Sequence, residues 1–140
     1  MKRRAFFCLA VLLACPLLTA CSPGAQPENL RELRRVRSGS LDVVLLSPND
    51  TLRQGKDTFV VEFRSAANGQ LADVGDVRAS ATMLMAGMAP MGGSVEVRPT
   101  DTNGRYSVTT DLSMAGDWQV GVEWNGPAGR GSAVLSTSAQ

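Results

Sequence analysis

Apolar side chains recur at every second position along most of this chain, and that period constrains its fold more than any other feature. Tyr106, Val108, Thr110 and Leu112 alternate with Arg105, Ser107, Thr109 and Asp111; Trp118, Val120, Val122 and Trp124 alternate with Asp117, Gln119, Gly121 and Glu123. The same period runs through Leu41, Val43 and Leu45, through Phe59, Val61 and Phe63, through Val77 to Met85, and through Val95 and Val97, with a last strand expected near Ser132 to Thr137. An extended backbone turns successive side chains to opposite faces, so each of these runs predicts a half-buried strand. Turn formers fill the gaps at Pro48-Asn49-Asp50, Asn68-Gly69, Gly92-Gly93, Asp101 to Gly104, Ala115-Gly116 and Asn125-Gly126-Pro127. Seven short strands without a helix of useful length predict an all-β, antiparallel, immunoglobulin-like sandwich.

If successive strands reverse direction, the loops gather at two poles. Loops 48–57, 86–93 and 113–116 share one, and loops 65–76, 99–104 and 125–131 share the other. With the first strand starting at Leu41, the chain comes in at the second pole, so the loops of the first are expected to point away from whatever anchors the N-terminus.

That N-terminus carries its own signal. Lys2, Arg3 and Arg4 precede an apolar run from Ala5 to Leu18, too short to span a bilayer as a helix. Leu18-Thr19-Ala20-Cys21 closes the run and resembles the lipobox of bacterial lipoproteins, in which the cysteine is acylated and becomes the first mature residue. The other reading is an ordinary signal peptide cut after Ala20. The organisation expected is a lipoprotein signal peptide over 1–20, a lipid-anchored linker over 21–40 and one β-sandwich domain over 41–140, outside the cytoplasm. Ser22 resembles the outer-membrane sorting preference of Gram-negative lipoproteins, which places the domain on the periplasmic face there.

Composition narrows the chemistry. Removing Lys2, Arg3 and Arg4 leaves 11 basic residues against 13 acidic ones, a net charge of −2, and no basic face for nucleic acid. Cys8 and Cys15 leave with the signal and Cys21 goes to lipid, so the mature fold has no disulfide and depends on its core. Residues 22–40 read as a tether; Leu30, Leu33 and Val36 fall near helical spacing among Arg31, Arg34, Arg35 and Arg37, but about ten residues make a marginal helix in water. Without histidine or a free cysteine there is no catalytic triad, no conventional zinc or blue-copper site and no basis for an enzyme.

Sulfur remains. Met83, Met85, Met88 and Met91 crowd one Gly/Ala/Pro-rich stretch, and Met114 lies on the neighbouring loop of the same pole. A thioether is a soft donor without a titrating proton, suited to Cu(I) or Ag(I) and indifferent to Zn(II). Met88, Met91 and Met114, with Met85 as a further ligand, make a candidate site, and Trp118 a candidate cation–π lid. Packing competes at every position. Met83 and Met85 share the phase of Val77, Ala79 and Ala81 and read as core filler, Met114 can plug the sandwich end, and Trp118 and Trp124 read as core. Tyr106, at a strand start after a turn, reads as a corner tyrosine whose hydroxyl bonds the backbone.

Met85-Ala-Gly-Met88-Ala-Pro-Met91, then Gly104-Arg-Tyr106, then Leu112-Ser-Met114-Ala-Gly-Asp-Trp118-Gln-Val120 together resemble the YtkA-like domain family, which is close to the FixH family. The resemblance covers about residues 40–137 and implies an extracytoplasmic, lipid- or helix-anchored domain that accompanies copper or heavy-metal efflux and oxidase-assembly systems. The absence of histidine departs from many relatives. Two functions follow as expectations: a Cu(I)/Ag(I)-handling module, or a metal-independent interaction module that docks an envelope efflux or oxidase-assembly protein.

Overall fold

A computed structural model describes residues 29–140. The lipobox and Cys21 lie outside them. The described residues form eight strands: β1 Arg31–Ser38, β2 Leu41–Ser47, β3 Gly55–Ser65, β4 Asp76–Met83, β5 Met91–Pro99, β6 Arg105–Leu112, β7 Gly116–Gly126 and β8 Gly129–Ala139. No helix occurs among the described residues. The hydrogen-bonded order is β1-β2-β3-β6-β5-β4-β7-β8, with every neighbouring pair antiparallel.

Strand β5 turns that order into a sandwich. Its first residues pair with β4 (Met83 opposite Met91, Ala81 opposite Gly93), and the remainder pairs with β6 (Ser94 opposite Asp111, Pro99 opposite Tyr106). One strand thus passes from the β4-β7-β8 layer to the β1-β2-β3-β6 layer. The Gly92-Gly93 pair, expected as a turn, sits inside β5 near this crossing. A Cβ on Gly93 would stand 3.0 Å from a Leu112 methyl and 3.4 Å from the Trp118 ring, so the bare backbone lets β5 lie close to the core.

The alternating residues close on one another as the period requires. Leu45, Phe59, Val61, Phe63, Val108, Leu112, Trp118, Val120 and Leu135 are buried in a single core. Phe63 meets Tyr106 edge-on at 5.6 Å and Trp124 at 5.1 Å between ring centroids, an arrangement that adds to area burial.

Strand β1 is the departure from expectation. The linker read over 21–40 contains a strand from Arg31 to Ser38, and the helical spacing of Leu33 and Val36 has another origin. Pairing shifts register between Glu32 (opposite Leu46) and Arg34 (opposite Leu45), which leaves Leu33 as an inserted bulge residue. The bulge brings Leu33 and Val36, three apart, onto the same core. Ion pairs tie β1 to β2: Arg37 reaches Asp42 at 2.9 Å and Arg35 reaches the same carboxylate at 3.5 Å, while Arg35 also pairs Glu32 within β1 at 2.7 Å. The Arg37 guanidinium, with Arg35 behind it, holds the Asp42 carboxyl below the usual carboxylate range.

The free edge of β1 faces β8 and is tied to it by side chains: Arg34 Nε donates to the Ser136 carbonyl at 2.6 Å and Ser38 Oγ to the Ser132 carbonyl at 2.8 Å. Segment 52–54 covers the end of the β8 edge, with Leu52 N donating to Ser138 O at 3.1 Å and Gln54 N to Gln140 O at 2.9 Å. Edges covered in this way offer little to another strand.

The polar face of β3 carries Glu62, fully buried, which accepts from Arg64 Nε at 2.8 Å and from Arg105 Nε at 2.7 Å. Beside it Val44, Leu46 and Val60 form a second small apolar cluster with Leu30 against it. Strand β2 is therefore buried on both faces.

Because β1 runs antiparallel to β2, Arg31 lies opposite Ser47. The chain therefore comes in at the pole of the methionine loops, not at the opposite one. The grouping of loops stands, but the expected orientation relative to the N-terminus is reversed.

Candidate methionine pole

The strand ends bring the sulfur-bearing loops together. Met83 pairs with Met91 across the β4–β5 ladder, and Gly55 of β3 stands opposite Leu112 of β6, so the ends of β4 and β6 and the starts of β3, β5 and β7 meet at one pole. Two side-chain bonds lace the loops. Ser113 Oγ donates to the Met91 sulfur at 3.0 Å, and Gln54 Nε2 donates to the Ser113 carbonyl at 3.1 Å. Within the front loop, Met88 N donates to Met85 O at 3.3 Å and closes a turn.

The methionines separate by burial. Met83 is core, and its terminal methyl fills the space that a Cβ on Gly116 would need. Met85 and Met91 are half-buried against the core. Met88 is 64% exposed and Met114 39%, with Leu84 at 61% beside them. Met114 does not plug the sandwich; its carbonyl instead accepts the Trp118 indole N–H at 3.1 Å. Trp118 itself is fully buried, beneath Gly93 of β5 and against Leu112. The Trp118 ring thus forms the floor of the pole.

The donor set at this pole is soft. Among the described residues no group of three or more His, Cys, Asp or Glu is placed to hold a metal ion. Met88 and Met114 are exposed on two loops of this pole, and the Met91 sulfur accepts from Ser113. Met85 sits at the root of the front loop. A thioether set of this kind suits a monovalent soft ion and gives no purchase to Zn(II) or Mg(II).

Elsewhere an open depression of about 620 Å³ lies over β4, β7 and β8 toward the other pole, where Asp76, Arg78, Glu123 and Arg130 mix both signs of charge. Arg78 stands directly opposite Glu123 in the ladder. This is the solvated face of a sheet, with neither a soft donor nor a charge of one sign. At the same pole the Tyr106 hydroxyl donates to the Gly75 carbonyl at 2.6 Å. That is the backbone bond expected of it, reaching a loop 31 residues upstream. Burial raises the Tyr106 phenol above its ordinary value.

The YtkA-like family model matches residues 35–123, from β1 into β7. This chain belongs to the YtkA-like family. The match takes in both methionine loops and the Trp118 floor. Among solved structures the chain is similar to the crystal structure of the Lin-41 filamin domain, at 18% identity and a TM-score of 0.44, covering 64% of this chain and 81% of that one. A search of curated proteins finds no significant match.

Proposed function

We propose that this YtkA-like protein is a lipid-anchored envelope module that captures or passes Cu(I) or Ag(I) at its methionine pole. The observation that carries the reading is the Ser113–Met91 bond at 3.0 Å. It ties the 84–90 loop to the 113–115 loop, so the accessible sulfurs of Met88 and Met114 stand on neighbouring, mutually fixed segments. A thioether site keeps its ligands unprotonated across a wide pH range, which suits an envelope exposed to variable pH. The module is non-catalytic and works by binding and release.

The test is a Cu(I) titration of the mature chain from Ser22 onward, under reducing conditions and against a competing chelator. The chain must include β1, since Leu33 and Val36 belong to the core. Met88→Ala with Met91→Ala should abolish Cu(I) binding while far-UV circular dichroism and Tm stay near those of the parent. Undiminished binding by the double variant would refute the assignment.

One observation favours a second reading. Three of the four large hydrophobic side chains exposed among the described residues, Leu84, Met88 and Met114, lie at this one end, as on a protein-docking face. On that reading an envelope efflux or oxidase-assembly component is captured without metal, and capture is lost when Leu84 and Met88 are made polar. A silent Cu(I) titration with metal-free capture would decide for it.

A further inference from the structure

The reversed chain direction bears on what the exposed apolar group faces. Ten peptide steps separate Cys21 from Arg31, which at full extension span about 34 Å. Strands β7 and β8 each run 11 residues, so the body is about 36 Å from pole to pole. Acylated at Cys21, the domain would need its whole tether drawn taut to present the opposite pole to the bilayer. The methionine pole, where Arg31 lies, is within reach of the lipid with slack to spare.

At this same pole Leu84 and Met88 are 61% and 64% exposed and Met114 is 39% exposed. They do not stand apart from the incoming chain. Arg31 bonds Asp50 at 2.5 Å, and Gln54, at the other end of that loop, bonds the Ser113 carbonyl at 3.1 Å. Arg34 of β1 and Leu84 line the same shallow groove with Asp117 and Gln119. The start of β1 and the exposed apolar side chains thus lie at one end of the sandwich.

We propose that the methionine pole is a membrane-docking face, with Leu84, Met88 and Met114 seated at the headgroup–acyl boundary beside the Cys21 lipid. This rests on acylation of Cys21 and is independent of metal binding. The lipid holds the chain at this pole, and apolar side chains that reach the headgroup–acyl boundary add buried area to that hold. Both signs of charge occur at the pole, Arg31, Arg53 and Lys56 against Asp50, Asp111 and Asp117, so apolar insertion and not attraction to anionic headgroups carries the contact. Docking should therefore persist at high salt.

The experiment uses the mature acylated protein, washed with chelator, in phosphatidylcholine–phosphatidylglycerol vesicles. An environment-sensitive fluorophore is attached to Met88→Cys or, at the opposite pole, to Asn103→Cys, and quenched by a lipid carrying a shallow doxyl group. The probe at 88 should be quenched at least about threefold more than the probe at 103, in 50 mM and 500 mM salt alike, because insertion and not screened charge seats it. Leu84→Asp with Met114→Asp in the labelled protein should bring the two to parity. Equal quenching at both positions overturns the proposal, as does quenching at 88 that the double substitution leaves unchanged. Mass spectrometry of the mature chain reads acylation separately, so failure of the anchor is told apart from failure of the face.

Discussion

The two poles of this sandwich are built from the same loops-between-strands plan and differ in how tightly they are closed. At the far pole backbone meets backbone. Phe63 N donates to Gly104 O and Ala72 N to Phe63 O, both at 2.9 Å, and Tyr106 reaches across to Gly75. At the methionine pole backbone bonds tie segment 52–54 to the end of β8, but the 84–90 loop is held by one internal turn, and its neighbours are laced by a bond to the Met91 sulfur and one from Gln54. The two tryptophans of β7 show the same contrast, since Trp124 packs into an aromatic cluster with Phe63 while Trp118 roofs the core beneath exposed methionines. Rigidity at one end frees the other to carry adaptable, polarisable side chains, the type suited to binding surfaces.

Glycine substitutions break this comparison most strongly. Gly104 has φ +83°, and a Cβ there would sit 2.5 Å from the Ala72 carbonyl oxygen. Left-handed strain and a backbone collision act together, so Gly104→Ala should cost about 3 kcal/mol or more. In a domain of this size that lowers Tm by roughly 10 °C or more. Gly87, in the methionine loop, has a similar φ of +74° but open space around a Cβ. Gly87→Ala should cost only about 1 kcal/mol, the strain alone. Equal losses in thermal denaturation would mean that the poles are not closed differently.

Tyr106 sharpens the comparison with a smaller effect. Removing its hydroxyl leaves the Gly75 carbonyl without that partner, and Tyr106→Phe should lose about 1–2 kcal/mol. Its raised phenol pKa means that the fold prefers the neutral form. That contribution is complete below the unfolded value, near 10 for a free tyrosine, and is lost as pH rises through the higher folded value. Urea midpoints measured between pH 8 and 11.5 should fall in the parent and fall less in the variant. Parallel curves would show that Tyr106 is not the titrating group.

Most of the fold was legible because period two survives wherever one face is dry and the other wet. Strands β3, β6 and β7 lie where the alternation placed them, and the two sets of loops follow from antiparallel succession alone. Strand β1 was hidden twice: four arginines disguised it as a tether, and the bulge at Leu33 turned a strand's spacing into a helix-like one. One signal could have exposed it. Leu41, Val43, Val44, Leu45 and Leu46 leave β2 apolar on both faces, as a strand with a neighbour and cover on each side must be. Missing β1 inverted the expected direction from which the chain comes in, because one extra strand reverses it. Gly92-Gly93 was read as a turn since glycine pairs usually are; here they serve close approach to Trp118, which no local pattern encodes. That the loops of Met88, Met91 and Met114 share a pole was legible from topology, but not which of these side chains are exposed, because that depends on how far each loop rises above the Trp118 floor.

The smallest perturbation reaches furthest into function. Ser113→Ala deletes one O–H···S bond near the surface, and global stability should move by no more than about 0.5 kcal/mol. Yet that bond is the direct side-chain tie between Met91, at the end of the front loop, and the loop of Met114. Without it the 84–90 amides should exchange with solvent several-fold faster, while Ala72 and Arg105 at the far pole keep their protection. If the tie preorganises the sulfurs, Cu(I) affinity should fall several-fold through added ordering entropy although no ligand is removed. Unchanged affinity, beside a Met88→Ala/Met91→Ala variant that binds nothing, would mean that the ion itself gathers the loops. The pole would then be adaptable in the sense its exposed methionines suggest, with Ser113 serving only to seat Met91 against the core.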